Sequence, residues 1–201
     1  MRLNALFPTR DIGTDPARIR DWAQAAEDLG FNHILAYDQV LGADSATYSQ
    51  ERLPGPYRED HLFHEPLVLF GYIAAFTKRI ELATGVVILP QRQAALVAKQ
   101  AACLDELSGS RFRLGVGAGW NEDECGAYGI ELGTMSERFD RFAEGLEVMR
   151  LLLTQDVSDF SGRYYRLTGA YCNPKGPQMP HPPFTIGGRG EKRTIPLVAR
   201  Y

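Results

Sequence analysis

The sequence predicts an α/β fold, a parallel (β/α)8 barrel of the TIM type, and two features of the chain lead to this prediction. Short strand-like runs alternate with helical patterns from residue 3 onward, which favours right-handed β-α-β units and a parallel sheet. The run IELATGVVIL at 80–89 is almost continuously apolar and rich in β-branched residues. Such a run is typical of a strand that is buried on both faces, as in parallel sheets.

The first two strands are predicted at 3–7 and 31–38, with one helix between them. Asp15 as N-cap and Pro16 at the first helical position mark the start of the helix, and Gly30 ends it. The apolar residues of this helix recur at helical spacing on one stripe. We expect that stripe to pack on the sheet.

The alternation continues with a helix at 66–77, the strand at 80–89 and a helix that stops at Gly109. A fourth strand is predicted at 111–119, where RFRLGVGAG runs into a glycine-rich end. Thr134 and Glu137 then form a capping-box pattern before another amphipathic helix.

The segment 157–181 interrupts the alternation with a turn signal in FSGRYYRL and a proline-rich approach. A fifth strand follows at 183–188, and EKRTIPLVARY begins another helix. Because an eight-stranded barrel takes about 250 residues, we interpret residues 1–201 as a single barrel domain truncated after about five strands. A doubly wound open sheet is the structural alternative.

One long segment, residues 39–64, shows no regular pattern and is rich in Gly, Pro, Tyr, Ser and charged residues. Loops of this length in compact domains are commonly functional lids or disordered segments. We therefore expect a cover for a site here, with a simple surface decoration as the alternative.

The composition points to a small ligand. The formal net charge is -3 and the isoelectric point is near 5.8, with Lys and Arg scattered along the chain, which argues against binding to nucleic acid or an anionic membrane. The N-terminus fits neither a signal peptide nor a membrane span, so we expect a cytoplasmic protein. The spacing of Cys103, Cys125 and Cys172 matches no zinc or redox motif, and we expect these thiols to be reduced.

Two glycine-rich segments follow predicted strands. The run 115–119 is not a dinucleotide fingerprint, because its third glycine comes two residues after the second and not three. Glycines at a strand tip do let a flat ring or a phosphate approach the backbone. Gly187, Gly188 and Arg189 lie between a strand and a helix, where N–H groups and a guanidinium favour an anion. A plain turn is the alternative for both segments.

Polar residues near strand ends are the candidates for chemistry. Asp38 ends the second strand, where a carboxylate in a barrel is commonly functional, although a capping or turn role is the alternative. His61, His64 and Glu65 lack further ligands at recognisable spacing, so no metal site is predicted. His64 stays a candidate to face the site at the end of the long loop. No nucleophile motif of a hydrolase is present in the sequence.

These segments together resemble the luciferase-like flavin-dependent oxidoreductase superfamily, and especially its branch that uses the deazaflavin coenzyme F-420 (F420). The resemblance covers essentially the whole chain. It is carried by PTRDIGTDPARIRDWAQAAEDLGF, by AYDQVLGA, by the long block from FHEPLVLF to GWNEDE, and by FSGRYY and TIGG. The long middle block is highly specific, whereas TIGG alone is weak.

The resemblance implies a (β/α)8 barrel with the cofactor ring across the carboxyl ends of the strands. It also implies a strained backbone bulge behind the ring in the third strand, at Thr84, Gly85 and Val86. Asn121 would be a polar contact to the ring or its side chain, and Gly187 and Gly188 match the phosphate segment, with Arg189 beside them.

The chain departs from this pattern at one position. Relatives commonly have Asp-His at the tip of the second strand, whereas here Asp38 is followed by Gln39. Glutamine can hydrogen-bond a cofactor or substrate but cannot act as a general acid or base. The residues that we expect to contribute to catalysis are therefore Asp38, His64 and Glu122, unless the reaction needs no proton from this position.

The leading hypothesis is an oxidoreductase that transfers hydride between reduced coenzyme F420 or FMN and a small organic substrate. An FMN-dependent monooxygenase that uses molecular oxygen is the alternative enzyme, and it implies a flavin reductase or another cofactor-reducing partner. A truncated, non-catalytic barrel fragment is the third hypothesis. Such a fragment would expose strand edges and self-associate, so a homodimer is expected under it.

Overall fold

A computed structural model describes residues 2–42, 44, 47 and 61–201, and its strands and helices alternate along these ranges. The strands are β1 (Asn4–Leu6), β2 (His33–Ala36), β3 (Glu81–Thr84), β4 (Val87–Ile88), β5 (Phe112–Gly117), β6 (Ser158–Ser161), β7 (Arg166–Ala170) and β8 (Phe184–Ile186). The helices are α1 (Pro16–Asp28), α2 (Pro66–Phe76), α3 (Ala94–Ser108), α4 (Glu122–Ala127), α5 (Met135–Thr154) and α6 (Thr194–Arg200), with a short 3-10 helix at Leu89–Gln91.

The main sheet is parallel throughout and fills its positions in chain order. β1 pairs with β2, β2 with β3, and β3 and β4 both pair with β5, which pairs in turn with β8. β3 and β4 therefore share one position. A doubly wound sheet reverses its strand order at a switch point, whereas this sheet does not, so the open-sheet alternative is wrong.

The helices bury their apolar faces against the sheet and against one another. Phe70 of α2, Phe112 of β5 and Phe142 of α5 are fully buried in this layer. Burial of one such side chain contributes about 1.5–3 kcal/mol relative to leaving it exposed. The barrel's parallel sheet thus holds its shape through the helices that cover it.

The predicted helix ends are confirmed where their caps can be seen. The Asp15 carboxylate accepts the Ala17 N–H at 2.9 Å at the start of α1. Thr134 and Glu137 form the reciprocal capping box of α5. Gly109 ends α3 with φ 65°, a left-handed conformation that glycine adopts without strain.

Three features differ from the sequence predictions. The single strand expected from the apolar run at 80–89 is interrupted after Thr84 and resumes at Val87, where the family resemblance implied a bulge. The FSGRYY region forms an antiparallel pair, β6 with β7, outside the main sheet. The short helix α4 was not predicted, because six residues are too few for a helical periodicity to show.

Partly buried charged groups connect the elements at the amino end of β3. The Arg111 guanidinium donates to the carbonyl oxygens of Ala74, Thr77 and Ile80 at 2.9–3.1 Å. The Glu27 carboxylate of α1 accepts the backbone N–H groups of residues 78–80, which connect α2 to β3. Burial alone would raise the pKa of Glu27, but these N–H groups outweigh it and lower that pKa.

Most of the predicted cover at 39–64 lies outside the described residues. Within the described ranges, no helix combines the length and the apolar character that crossing a lipid bilayer requires.

Candidate functional site

Asp38 lies just beyond the carboxyl end of β2, and its side chain is fully buried. Its Oδ2 accepts the Ile88 N–H at 2.9 Å, and its Oδ1 lies 2.6 Å from Nη2 of Arg92. Burial raises the pKa of Asp38, while the Arg92 guanidinium acts in the opposite direction. The carboxyl group therefore connects β2 to the segment after β4.

Arg92 also contacts a second carboxylate. Its Nη1 lies 2.9 Å from Oε1 of Glu65, which is the N-cap of α2 and accepts the Val68 N–H at 2.8 Å. One guanidinium thus holds the end of β2, the start of α2 and the turn before α3 together. Arg92 was not predicted from the sequence, where its signal is a single arginine between a buried apolar strand and a helix.

A cavity of about 100 Å³ opens at the carboxyl ends of the strands. Its walls are Asp38, Gly85, Val86, Ile88, Trp120, Asn121 and Glu124. Four of the residues predicted for the cofactor site line it together, namely Asp38, Gly85, Val86 and Asn121. Complete ligand pockets measure about 300–1,000 Å³, so this cavity is smaller than such a pocket.

The floor of the cavity forms where the third strand is interrupted. Thr84 Oγ1 donates to the Gly115 carbonyl at 2.7 Å and accepts the Gly115 N–H at 2.7 Å, which fixes the chain before the break. Gly85 and Val86 follow, joined by a cis peptide bond. The Val86 side chain then reaches between Gly117 and Gly187, where side chains on either glycine would crowd it.

Asn121 and Glu124 form the opposite wall at the start of α4. Asn121 caps this helix through its Oδ1, which accepts the Glu124 N–H at 3.1 Å, and its amide donates to Glu124 Oε2 at 3.3 Å. Glu124 Oε1 accepts the backbone N–H groups of Val40 at 2.7 Å and Leu41 at 3.4 Å. This carboxyl group therefore connects the segment after β2 to the segment after β5.

Glu122 and Glu124 lie two residues apart but differ in surroundings. The Glu122 side chain is 66% exposed and pairs with the buried guanidinium of Arg138 at 2.8 Å. Glu124 is only 3% exposed and lines the cavity. Of the two carboxyl groups, the geometry therefore favours Glu124 for a role in the cavity, although Glu122 was the one predicted from the sequence. The signal for Glu124 was its position as N3 of a helix that follows a glycine-rich strand end.

Gln39 and His64 do not belong to the cavity walls among the described residues. Gln39 is buried, and its Nε2 donates weakly to the Leu41 carbonyl at 3.4 Å, while its Oε1 has no hydrogen-bond partner in the described part of the chain. His64 packs edge-on against Phe7, with ring centroids 6.0 Å apart, and lines an apolar groove between α1 and α2. Sequence proximity placed His64 near the site, but its ring faces the helix layer.

The predicted phosphate segment follows β8. The Gly187 N–H donates to the Val116 carbonyl at 2.8 Å, and Gly188 has φ 137°. Arg189 is exposed and borders a cleft of about 610 Å³ between this segment and the start of α5. Arg193 lies on the same cleft and pairs with Asp140 at 2.6 Å. The segment thus places the exposed side chain of Arg189 at the edge of the sheet next to the cavity floor.

Comparison with known proteins agrees with this arrangement. The F420-dependent glucose-6-phosphate dehydrogenase of Nocardia farcinica is 38% identical over 173 residues, covering 84% of this chain and 48% of the relative. The FMNH(2)-dependent dimethylsulfone monooxygenase of Pseudomonas putida is 31% identical over 169 residues, covering 84% and 42%. An uncharacterized protein of Mycobacterium tuberculosis, Rv0953c, is 36% identical over the whole chain, which covers 70% of it.

Solved structures share the fold over nearly all of the chain. The monooxygenase RslO1 from Streptomyces bottropensis superposes with a TM-score of 0.79 at 25% identity, covering 100% of this chain and 57% of RslO1. An F420-dependent secondary alcohol dehydrogenase gives 0.76 at 22% identity, covering 95% and 53%, a likeness of fold. The chain spans about half the length of these structures and of the cofactor-dependent relatives.

These likenesses confirm the predicted barrel architecture and the resemblance seen in the sequence motifs. Residues 2–201 match the model of the family described as luciferase-like monooxygenase. The chain belongs to the luciferase-like monooxygenase family.

Proposed function

We propose that this chain forms the cofactor-binding part of a flavin- or deazaflavin-dependent oxidoreductase that acts on a small organic substrate. The observation that carries the proposal is the cavity at the carboxyl ends of the parallel strands, lined by Asp38, Asn121 and the interruption at Gly85–Val86. Barrel enzymes hold their active sites at this end of the sheet. Family membership supplies the class of cofactor.

The residues present suit a flat ring with a polar edge and an anionic tail. The Val86 side chain, packed against Gly117 and Gly187, offers a small apolar surface in the cavity. Asp38, Asn121 and Glu124 offer polar groups at the rim. Since the cavity is small, we propose that it receives one edge of the ring, with the phosphate near Gly187, Gly188 and Arg189.

The cofactor, when bound, supplies the hydride chemistry, and the protein supplies position and electrostatics. Arg92 keeps Asp38 fixed at the end of β2, so that the rim of the cavity keeps its shape. Gln39, Asp38, Thr84 and Arg189 are proposed as further cofactor contacts. We propose no contact with the cofactor ring for His64 and Glu122. The His64 ring lines the groove between α1 and α2, and the Glu122 carboxylate pairs with Arg138.

Hydride transfer to or from coenzyme F420 is the first candidate, supported by the 38% identity to an F420-dependent dehydrogenase. Oxygenation with reduced FMN is the second, supported by the relative from Pseudomonas putida. The second function would need a partner protein that reduces FMN. A non-catalytic fragment is the third candidate. It is supported by coverage, because the chain spans 42% and 48% of the length of these two relatives.

The test is to titrate the purified chain separately with FMN and with coenzyme F420, following cofactor fluorescence. We expect one of them to bind, and Asp38→Asn to weaken that binding because the rim loses its ion pair. His64→Ala is the matched control, since this side chain lines the groove between α1 and α2 and should leave affinity unchanged.

Binding of neither cofactor would refute the enzyme proposal for this chain. The same titration with a version extended beyond Tyr201, together with the solution mass of both forms, separates a self-associating fragment from a competent domain. Tight cofactor binding by a monomer would count against the fragment hypothesis.

A further inference from the structure

The cavity contains two buried carboxyl groups, Asp38 and Glu124, which are 6% and 3% exposed. Within the described part of the chain, one guanidinium pairs with Asp38, and none pairs with Glu124. Arg92 lies 2.6 Å from Asp38 and is shared with Glu65, so Asp38 has a cation and a backbone N–H as partners. Burial raises the pKa of Asp38, and these two partners oppose that effect by favouring its charged form.

Glu124 has no such cation. Among the described residues, no Lys, Arg or His lies within ion-pair distance of its carboxyl group, and its partners are neutral. Oε1 is occupied by the Val40 and Leu41 N–H groups, whereas Oε2 has a longer contact of 3.3 Å to the Asn121 amide. Oε2 is thus the oxygen on which a proton can reside.

We propose that Glu124 carries the exchangeable proton of the strand-end cavity. The inference rests on the proposed function in treating this cavity as the place where chemistry occurs. Glu124 would supply an acid–base group near the position where relatives commonly have histidine and this chain has Gln39, which cannot act as an acid or base. Glu122 does not compete, because its carboxylate is exposed to solvent and paired with Arg138.

The surroundings support a proton on Glu124. Burial raises the pKa of Glu124, and the nearby charge of Asp38 also raises it. The N–H groups of Val40 and Leu41 and a hydrogen bond with the Gln91 side chain act in the opposite direction, but the pKa stays raised. The other titratable groups facing the carboxyl are Cys125 and Tyr128 on or next to α4, and both have raised pKa values because of burial. Both are therefore neutral across the range in which a carboxyl group titrates. The nearby cation, Arg92, is paired with Asp38 and Glu65.

The direct test uses the unmodified chain with carbon-13 in the glutamate carboxyl groups and follows their chemical shifts by NMR against pH. We expect one glutamate to titrate above the ordinary value of about 4.3. Its signal is assigned by its disappearance in Glu124→Gln and its persistence in Glu122→Gln. If every glutamate titrates near or below the ordinary value, the proposal is overturned, whether or not any variant folds.

A second readout uses Trp120, which lines the same cavity. In a Trp22→Phe background, Trp120 is the only tryptophan, because the sequence has two. Its emission should change with a midpoint above the ordinary glutamate value, and Glu124→Gln should abolish this change while Glu122→Gln keeps it. A change that survives Glu124→Gln but disappears in Asp38→Asn would assign the proton to Asp38 instead.

Both titrations work without a cofactor. Failure of FMN and coenzyme F420 to bind would therefore contradict the proposed function alone, since the protonation of Glu124 is decided by the titrations.

Discussion

The Val86 Cγ2 atom lies 2.7 Å from the point where a Cβ atom on Gly117 would be. The Val86 side chain thus fills the space that a side chain at position 117 would need. Valine at position 86 therefore requires glycine at position 117. This relationship explains why a glycine-rich strand end occurs in a chain that has no dinucleotide fingerprint.

Gly117→Ala should therefore displace Val86 and reshape the cavity floor. We expect a loss of about 1–3 kcal/mol in the free energy of unfolding, typical of overpacking, together with weaker cofactor binding. Adding Val86→Ala should restore stability because it removes the clashing methyl group. Urea unfolding of the single and double variants measures this. Gly126→Ala in α4, which meets nothing within 4 Å, is the control and should be neutral or slightly stabilising.

Arg92→Gln should leave Asp38 and Glu65 without their shared cation. Breaking a buried ion pair by removing one partner costs about 3–5 kcal/mol, so a large drop in the free energy of unfolding is expected at neutral pH. Combining Arg92→Gln with Asp38→Asn should recover part of it, since the double variant buries one charge fewer. Arg79→Gln, which removes an exposed pair with Asp28 at 3.6 Å, should change stability by less than about 1 kcal/mol. If the losses in the free energy of unfolding from Arg92→Gln and Asp38→Asn simply add in the double variant, the ion pair does not contribute to stability and the prediction is wrong.

The stability of the chain at acidic pH should depend on Glu147. A hydrogen bond from Arg150, with further help from Tyr201, lowers the pKa of Glu147 from an ordinary 4.5 to about 2, against the effect of burial. Because the folded-state pKa is lowered, its contribution to stability is full above pH 4.5 and declines as the pH falls toward 2. Chemical unfolding at a series of pH values should show a smaller loss over this window in Glu147→Gln than in the parent chain. An unchanged pH profile in the variant would contradict the assignment.

Arg111→Met should destabilise the fold without altering the cavity. The guanidinium donates to four backbone carbonyls, three of them near the amino end of β3 and the fourth at Ser108, and their loss as a group should cost at least ~2 kcal/mol. Cofactor affinity, measured well below the unfolding midpoint, should stay at the parental value because the cavity lies at the other end of the strands. A selective loss of affinity with unchanged stability would refute this separation.

The strand order and helix ends could be predicted because their signals are local. Asp15 and Pro16 mark a helix start, Thr134 and Glu137 a capping box, and Gly109 a helix end, each within a few residues of sequence. The parallel sheet followed from the alternation of elements. The break after Thr84 was expected only from the family resemblance, because periodicity in an apolar run carries no mark of an interruption.

The site was partly predictable for the same reason. Asp38 and Asn121 lie in the short segments that follow β2 and β5, so their position at the strand ends follows from the topology. Arg92 and Glu124 could not be found in this way, since their roles depend on contacts across 54 and more than 80 residues of sequence. His64 lies away from the cavity, because closeness in sequence does not determine which way a ring faces.

The contacts of Arg111 and Glu27 lie at the opposite end of β3 from the cavity. The two ends of the sheet can consequently change independently over evolution: substitutions around the cavity alter which molecule is held, while the frame that sets the strand spacing stays intact. For protein engineers, the same division makes the strand tips of this chain a place to vary recognition and the amino ends a place to raise thermal tolerance.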